Sequence, residues 1–299
     1  MLDGGTQMQI PFVILRPTFL DIAMPGSLSI LLLVMVSMLI SLFGSIVGFG
    51  GGILIVPILI TFFHYPLDAA VGATMASLVP SAFMSTYLNR KEGNVDFKMG
   101  ALLEVPTTVG VVLGSILLSY ISTRRLEAVF AAMVLIMGIS FILPSKGKAH
   151  NLKVFYALNK LKPRFIIRNT NKNVAYRASL YVVAFFGLLA GTLAGLFGIG
   201  GGFMKTPVMI KVFEMPVKIA TATALFMIFI TSVTGTISHY WQGHIYPGKT
   251  WPVMLGFFIG AIAGHQVNAH IKPGTLERLI GLSLSLVAII MLLELAFKG

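Results

Sequence analysis

Residues 47–52 read Val-Gly-Phe-Gly-Gly-Gly, and residues 197–202 read Phe-Gly-Ile-Gly-Gly-Gly. The two glycine triplets lie 150 positions apart, and each is followed five residues later by a proline. Between 48–127 and 198–277, sixteen of the eighty residue pairs at this one ungapped offset are identical, and nine of the sixteen are glycine or proline. Apolar composition does not align glycines and prolines in this way. The sequence therefore predicts a duplicated unit.

The chain around these motifs is too apolar for a soluble domain. Of its 299 residues, 56% are hydrophobic and 11% are charged, and the mean hydropathy is +0.90. Soluble domains carry about 25% charged residues. The apolar stretches are continuous rather than alternating, as transmembrane strands would be, which predicts an all-α, polytopic transmembrane helix bundle. The absence of cysteine excludes disulfides, thiolate catalysis and cysteine-ligated metals.

Each unit contains five apolar stretches, of which the second is short. They cover 28–48, 50–63, 68–88, 97–121 and 126–144, and then 179–197, 201–213, 218–238, 249–271 and 278–297. A full span needs about twenty residues, and the short stretch begins at the triple glycine, which disfavours a continuous helix. We therefore predict two broken helices. If the short piece crosses the membrane, the units have five spans each and are inverted; if it re-enters, they have four spans each and are parallel. The distribution of Lys and Arg between the loops favours inversion.

The positive charge is concentrated in the middle of the chain. Residues 146–177 hold nine Lys and Arg and no Asp or Glu, out of a net charge of +12. Basic tracts sometimes bind nucleic acid, but in a membrane protein they favour the cytoplasmic side. We predict an N-terminal interfacial or disordered segment (1–27), a first repeat (28–145), a basic cytoplasmic loop (146–178) and a second repeat (179–299). This predicts a multi-pass protein of the cytoplasmic (inner) membrane with external termini.

The two glycine triplets form the first candidate binding site. They comprise Gly50, Gly51 and Gly52 in one repeat and Gly200, Gly201 and Gly202 in the other. Transporters built from inverted repeats bind substrate near the midplane, where broken helices present free N–H groups and partial positive charge to an anion. The alternative is that the glycines only permit close helix packing. Three consecutive glycines followed by a proline, twice, favour the binding site.

These motifs resemble those of the TauE/SafE, or sulfite exporter, family of membrane permeases. The resemblance rests on GFGGG before Pro57, on GIGGG before Pro207, and on the segments 66–74 and 216–224, which read PLDAAVGAT and PVKIATATA. It covers nearly the whole chain except the first 25 residues and the basic loop, which looks longer and more basic than is usual in the family. The resemblance implies transport of a sulfur-containing anion such as sulfite, a sulfonate or thiosulfate, without identifying which one.

Three ionisable residues inside apolar stretches are further candidates. Lys205 lies three residues after the second triplet, where the first repeat has Ile55, and predicts either a charge partner for the anion or a side chain that reaches the interface. Glu104 predicts either proton coupling or a position near the interface. His265, like Asn268, predicts interhelical hydrogen bonding, with substrate binding or coupling as the alternative.

Hydroxyl side chains follow each glycine triplet at helical spacing. They are Thr74, Ser77 and Ser81 in the first repeat and Thr221, Thr223 and Thr231 in the second. From these we select Thr74, Ser77 and Thr223 as a polar lining for the substrate, while bonds to their own helix carbonyls are the alternative.

The sequence offers no machinery for an enzyme. Residues 243–250 match the Walker A pattern, but they join two membrane stretches and lack the strand and helix which that loop requires. We expect no cofactor, no metal and no nucleic acid, and we predict a secondary transporter in the lipid bilayer that uses a proton or other ion gradient. The alternatives are a passive anion channel and a membrane scaffold whose basic loop binds a partner. A homodimer is left open.

Overall fold

The computed structural model describes residues 26–142, 162–169, 174–267 and 273–297. Most of the predicted N-terminal segment, much of the basic loop and Asn268 lie outside these ranges. Within them the chain forms ten α-helices and a two-stranded antiparallel sheet. The helices of the first half are α1 (Gly26–Val47), α2 (Gly52–Thr61), α3 (Leu67–Lys91), α4 (Phe97–Tyr120) and α5 (Thr123–Ile142). The second half contains β1 (Arg164–Asn169), β2 (Val174–Ser179), α6 (Leu180–Phe197), α7 (Gly202–Lys211), α8 (Val217–Trp241), α9 (Pro247–Val267) and α10 (Pro273–Phe297).

The ten helices coincide with the ten predicted apolar stretches. Helices α2 and α7 have ten residues each and begin at the last glycine of each triplet, so both predicted breaks are present. Helices α2 to α5 and α7 to α10 begin at positions that differ by 150 in every case. The duplication seen in the sequence is therefore also a duplication of secondary structure.

Among the described residues, five helices are long and apolar enough to cross a membrane: α1, α3, α4, α6 and α8. Together with the helical content of the described residues, they confirm the prediction of an all-α polytopic bundle. Helices α3 and α8 are more buried than α1, since each packs against the other and against helices of both halves. Helices α3 and α8 thus form the centre of the bundle.

The helix packing follows a two-fold pseudo-symmetry. Helix α3 packs on its counterpart α8, and α5 packs on its counterpart α10. The pair α1–α9 corresponds to α6–α4, and the pair α3–α9 corresponds to α8–α4. Exchanging the halves therefore reproduces the packing. The inverted orientation of the two units in a bilayer stays a prediction.

Glycine stripes hold two of these helix pairs at close distance. A Cβ at Gly191 of α6 would lie 2.1 Å from the carbonyl oxygen of Thr107 on α4. At the equivalent pair, a Cβ at Gly260 of α9 would lie 2.2 Å from the carbonyl oxygen of Met38 on α1. For these helical glycines, close packing of small residues is the sufficient explanation.

The end of the predicted basic loop contains a β-hairpin. Strands β1 and β2 pair in antiparallel register, with Ile166 opposite Arg177 and Ile167 opposite Tyr176. The prediction of a loop was incomplete here, because Phe-Ile-Ile and Val-Ala-Tyr triplets on either side of a polar Asn-Thr-Asn-Lys-Asn segment are typical of a hairpin. The segment was predicted to be a loop because of its basic charge, and its strand propensity was not considered.

Candidate functional site

The two glycine-rich breaks adopt the same backbone conformation. In the first, φ is +83° at Gly48, +74° at Gly50 and +85° at Gly51. The equivalent residues Gly198, Gly200 and Gly201 have φ of +69°, +68° and +70°. Residues with a Cβ rarely adopt this left-handed conformation. Glycine is therefore required at these positions by the backbone itself, independently of any ligand.

The breaks meet each other at the pseudo-two-fold centre. A Cβ on Gly52 would lie 2.8 Å from the carbonyl oxygen of Gly198, and a Cβ on Gly202 would lie 3.0 Å from that of Gly48. The Thr206 hydroxyl donates to the same Gly48 oxygen at 3.3 Å. The structure thus brings the two predicted segments into direct contact.

The helices that start at the breaks present their N-termini there. Helices α2 and α7 have Gly51 and Gly201 as N-cap residues, and neither position has a side-chain cap hydrogen bond. The first N–H groups of a helix have no partner within the helix and carry partial positive charge. The glycines from 50 to 52 and from 200 to 202 are all buried. The two helix ends are thus close together and shielded from solvent.

A buried ion pair lies beside this centre. Lys205, in the first turn of α7, donates to Glu104 Oε2 of α4 at 2.8 Å and to the Thr231 hydroxyl of α8 at 2.8 Å. Thr231 in turn donates to Glu104 Oε1. The three residues are at most 3% exposed. Lys205 and Glu104 are thus buried inside the protein and paired with each other.

The symmetry-related positions carry no charge. At the offset of 150 residues, the counterparts of Lys205, Glu104 and Thr231 are Ile55, Met254 and Ser81. Ser81 shares a hydrogen bond with Ser41 of α1 at 3.1 Å. The site is therefore asymmetric: the backbone breaks are duplicated, and the charge is not.

The other predicted polar residues lie apart from the ion pair. Thr74 and Ser77 donate to the carbonyl oxygens of Ala70 and Ala73 of their own helix, both at 2.7 Å, which is the alternative raised for them. Thr223 accepts a hydrogen bond from the backbone N–H of Asp96 at 2.9 Å, at the start of α4. None of these three bonds involves the glycine breaks.

His265 lies at the end of α9 and not at the centre. Its Nε2 is 3.3 Å from Glu92, which also lies 3.9 Å from Lys218. All three side chains are partly or largely exposed. His265 thus belongs to a charged cluster at the ends of the helices, separate from Glu104.

A histidine pair between α8 and the following loop was not predicted from the sequence. The Nδ1 atoms of His239 and His244 are 3.1 Å apart, and His239 Nε2 faces the Gly195 carbonyl oxygen at 3.0 Å. Burial lowers the pKa of His244, and the Asp68 carboxylate partly opposes this. Asn89 and Asn94 occupy the equivalent positions in the first repeat. The replacement of two asparagines by two histidines was therefore the feature of the sequence that could have indicated this pair.

Comparison with known proteins places the chain in a family. Residues 33–291 match the model of the family described as "Sulfite exporter TauE/SafE". The chain is 28% identical over 285 residues to "Probable membrane transporter protein YunE" of Bacillus subtilis, covering 91% of this chain and 99% of that protein.

Two further relatives come from distant organisms. "Probable membrane transporter protein MJ0441" of Methanocaldococcus jannaschii is 27% identical over 88% of this chain and 95% of its own length. "Sulfite exporter TauE/SafE family protein 1" of Arabidopsis thaliana is 31% identical over 31% of this chain and 21% of its own length. No solved structure matches. The chain belongs to the TauE/SafE sulfite exporter family of membrane transporters.

Proposed function

We propose that this protein is a secondary transporter that moves a small sulfur-containing oxyanion, such as sulfite, a sulfonate or thiosulfate, across the cytoplasmic membrane. The observation that carries the proposal is the buried Lys205, in the first turn of a helix that begins at the meeting point of the two glycine breaks. A charged side chain within a membrane segment is costly and is a functional-site hypothesis by default.

The glycine breaks supply the neutral part of the anion site. The uncapped N-termini of α2 and α7 provide N–H groups and partial positive charge, which is a favourable environment for an oxyanion. Gly51 and Gly201 adopt the left-handed backbone conformation from which these two helix N-termini begin. The proposed substrate class also agrees with the names of the family and of its Arabidopsis thaliana member.

Lys205 supplies the formal charge, and Glu104 supplies the counter-charge. In the state described here the ammonium group is neutralised by Glu104 at 2.8 Å. An anion that binds Lys205 takes the place of this carboxylate, which then lies in a buried site without its partner. Uptake of a proton by Glu104 removes that cost. The pair thereby couples anion binding to proton binding, which fits a protein driven by an ion gradient.

Flux measurements in sealed liposomes test the function. We expect the purified protein to take up sulfite with saturation and to respond to an imposed pH gradient. A current that does not saturate at modest concentration would indicate the channel alternative instead. Absence of flux for sulfite, thiosulfate, sulfonates and sulfate alike would leave the scaffold alternative and contradict the proposal.

Cysteine labelling tests the proposed orientation. We expect single cysteines at Thr6 and Gly299 to react with an impermeant thiol reagent in intact cells, and one at Asn159 to be protected. These three positions lie outside the described residues, and the chain contains no native cysteine. External labelling at Asn159 would overturn the cytoplasmic placement of the basic loop. Protection at both termini would favour the parallel arrangement with four spans per unit.

A further inference from the structure

We infer that the anion reaches Lys205 through a groove between α3 and α4 that the aromatic pair Phe97 and Phe226 closes, with Arg90 at its mouth. The inference rests on the proposed function, because it describes the access route to that site. It is carried by a difference between the two halves of the molecule at equivalent positions.

The first observation is the position of Phe226 relative to the ion pair. A Cβ at Gly100 of α4 would lie 2.6 Å from Cδ1 of Phe226, so the ring lies directly on the helix at this glycine. Glu104 follows Gly100 by four residues and is therefore one turn further along the same face of α4. The Phe226 ring thus covers the approach to Glu104 from the N-terminal end of α4.

The second observation is that Phe226 is held by a ring partner with a charge above it. Its centroid lies 4.9 Å from that of Phe97, with the planes at 77°. This edge-to-face arrangement is a favourable one for two aromatic rings. The guanidinium carbon of Arg90 lies 5.8 Å from the Phe97 centroid, within the range of a cation–π contact. Phe97 and Arg90 are exposed, and Phe226 is half-buried.

The third observation is that the equivalent groove of the other half is open. A cleft of about 510 Å³ lies between α3, α8 and α9. Its lining includes Ala76, Pro247 and Tyr240, the counterparts of Phe226, Phe97 and Arg90. It also includes Met254, the counterpart of Glu104. Alanine and proline thus replace the two phenylalanines at this cleft. The cleft therefore extends to Met254, which is the counterpart of Glu104.

The charges at the closed groove suit an anion. Lys91 and Lys98 are exposed on the same helix ends as Arg90, with Glu92 as an opposing carboxylate. At the open cleft the equivalents of Arg90 and Lys91 are Tyr240 and Trp241. Positive charge at a groove mouth raises the local concentration of anions. The groove with the basic mouth is also the one that ends at the ion pair.

Labelling of a single cysteine tests the route without depending on transport. The reporter is Thr231→Cys, treated with a sulfonate-bearing methanethiosulfonate, which is itself a small sulfur anion. We expect the reaction to become about tenfold faster when Phe226→Ala is added, since this removes the ring that closes the groove. Phe229→Ala is the matched control, because Phe229 is on the same helix but pairs with Phe83 at 5.5 Å.

Further variants distinguish opening of this groove from a general loss of helix packing. In Gly100→Ala, the added methyl group of α4 displaces the Phe226 ring from the helix, so labelling should also become faster. This variant replaces Phe226→Ala if that protein does not fold. Ser81→Cys, the equivalent reporter in the first half, should show no response to Phe226→Ala. Arg90→Gln should slow the anionic reagent several-fold and leave a neutral methanethiosulfonate unaffected.

Equal labelling of Thr231→Cys in the Phe226→Ala and Phe229→Ala backgrounds would overturn the inference. So would a Ser81→Cys reporter that responds as strongly as Thr231→Cys. Failure of the proposed function is a separate result, since it appears as absent sulfite flux in the unsubstituted protein, whereas the labelling rates do not require flux.

Discussion

Replacing Lys205 by methionine should destabilise the transporter and abolish anion flux, and replacing Glu104 at the same time should restore the stability without the flux. Lys205 and Glu104 are 2% and 3% exposed and 2.8 Å apart. Removing one member of a buried ion pair leaves the other charge uncompensated, which costs about 3–5 kcal/mol. Thermal unfolding in detergent and flux in liposomes measure the two effects separately.

The repeat supplies the design for the double variant. The counterparts of Lys205 and Glu104 are Ile55 and Met254, so Lys205→Ile combined with Glu104→Met places the same apolar residues at both pairs of symmetry-related positions. We expect most of the lost stability to return in this variant, because neither charge then remains unpaired. Flux should stay absent, because the charge that binds the anion is gone.

An exposed pair provides the control for this experiment. Lys218 and Glu92 are 3.9 Å apart with exposed side chains, so Lys218→Met should change stability by less than about 1 kcal/mol. If Lys205→Met alone folded like the unsubstituted protein and bound sulfite with unchanged affinity, Lys205 would have no role in anion binding.

The sequence was sufficient to predict the helices and the breaks because their causes are local. A stretch of about twenty apolar residues specifies a membrane helix whatever surrounds it. The positive φ angles at Gly50, Gly51, Gly200 and Gly201 favour glycine over any residue with a side chain. The hairpin at Arg164–Ser179 was missed, since the basic charge of the segment drew attention away from its strand pattern.

The ion pair was not predicted because its members come from distant parts of the chain. Lys205 and Glu104 were each identified as costly charges, but they are 101 residues apart and meet only through the packing of α7 and α8 against α4. A signal did exist in the repeat. Lys205 and Glu104 both replace apolar counterparts, and their charges have opposite sign. Two such departures from the repeat are a reason to test whether the residues form a pair.

The polar lining by Thr74 and Ser77 stays a prediction, because local hydrogen bonds also account for these two hydroxyl groups. Thr74 and Ser77 have helix carbonyls within reach four residues earlier, and they bond to them at 2.7 Å. In an apolar environment a hydroxyl is satisfied by the nearest acceptor. Helical spacing places such residues on one face without requiring that they turn toward a substrate.

Substitutions in the glycine breaks should also have a large effect on transport. We expect Gly51→Ala and Gly201→Ala each to abolish flux. The φ angles are +85° and +70°, and a Cβ in this conformation costs about 1–2 kcal/mol. At Gly201 the added methyl would also lie 3.2 Å from Cε of Lys205, and at Gly51 it would lie 3.0 Å from the Ile40 carbonyl oxygen. Each methyl group therefore displaces the packed neighbours of the break, in addition to straining the backbone that presents the helix N-terminus.

Backbone strain alone must be separated from loss of the site, and Gly93 and Gly243 allow this. They have φ of +69° and +75° with no atom within 4 Å of an added Cβ, and they lie in loops away from the breaks. Gly93→Ala and Gly243→Ala should lower thermal stability by the backbone cost alone, about 1–2 kcal/mol, and retain flux. If the two break variants also transported sulfite at the unsubstituted rate while showing only this loss of stability, the glycines would serve the backbone turn alone. The anion would then have to bind elsewhere, since the two helix N-termini would no longer account for transport.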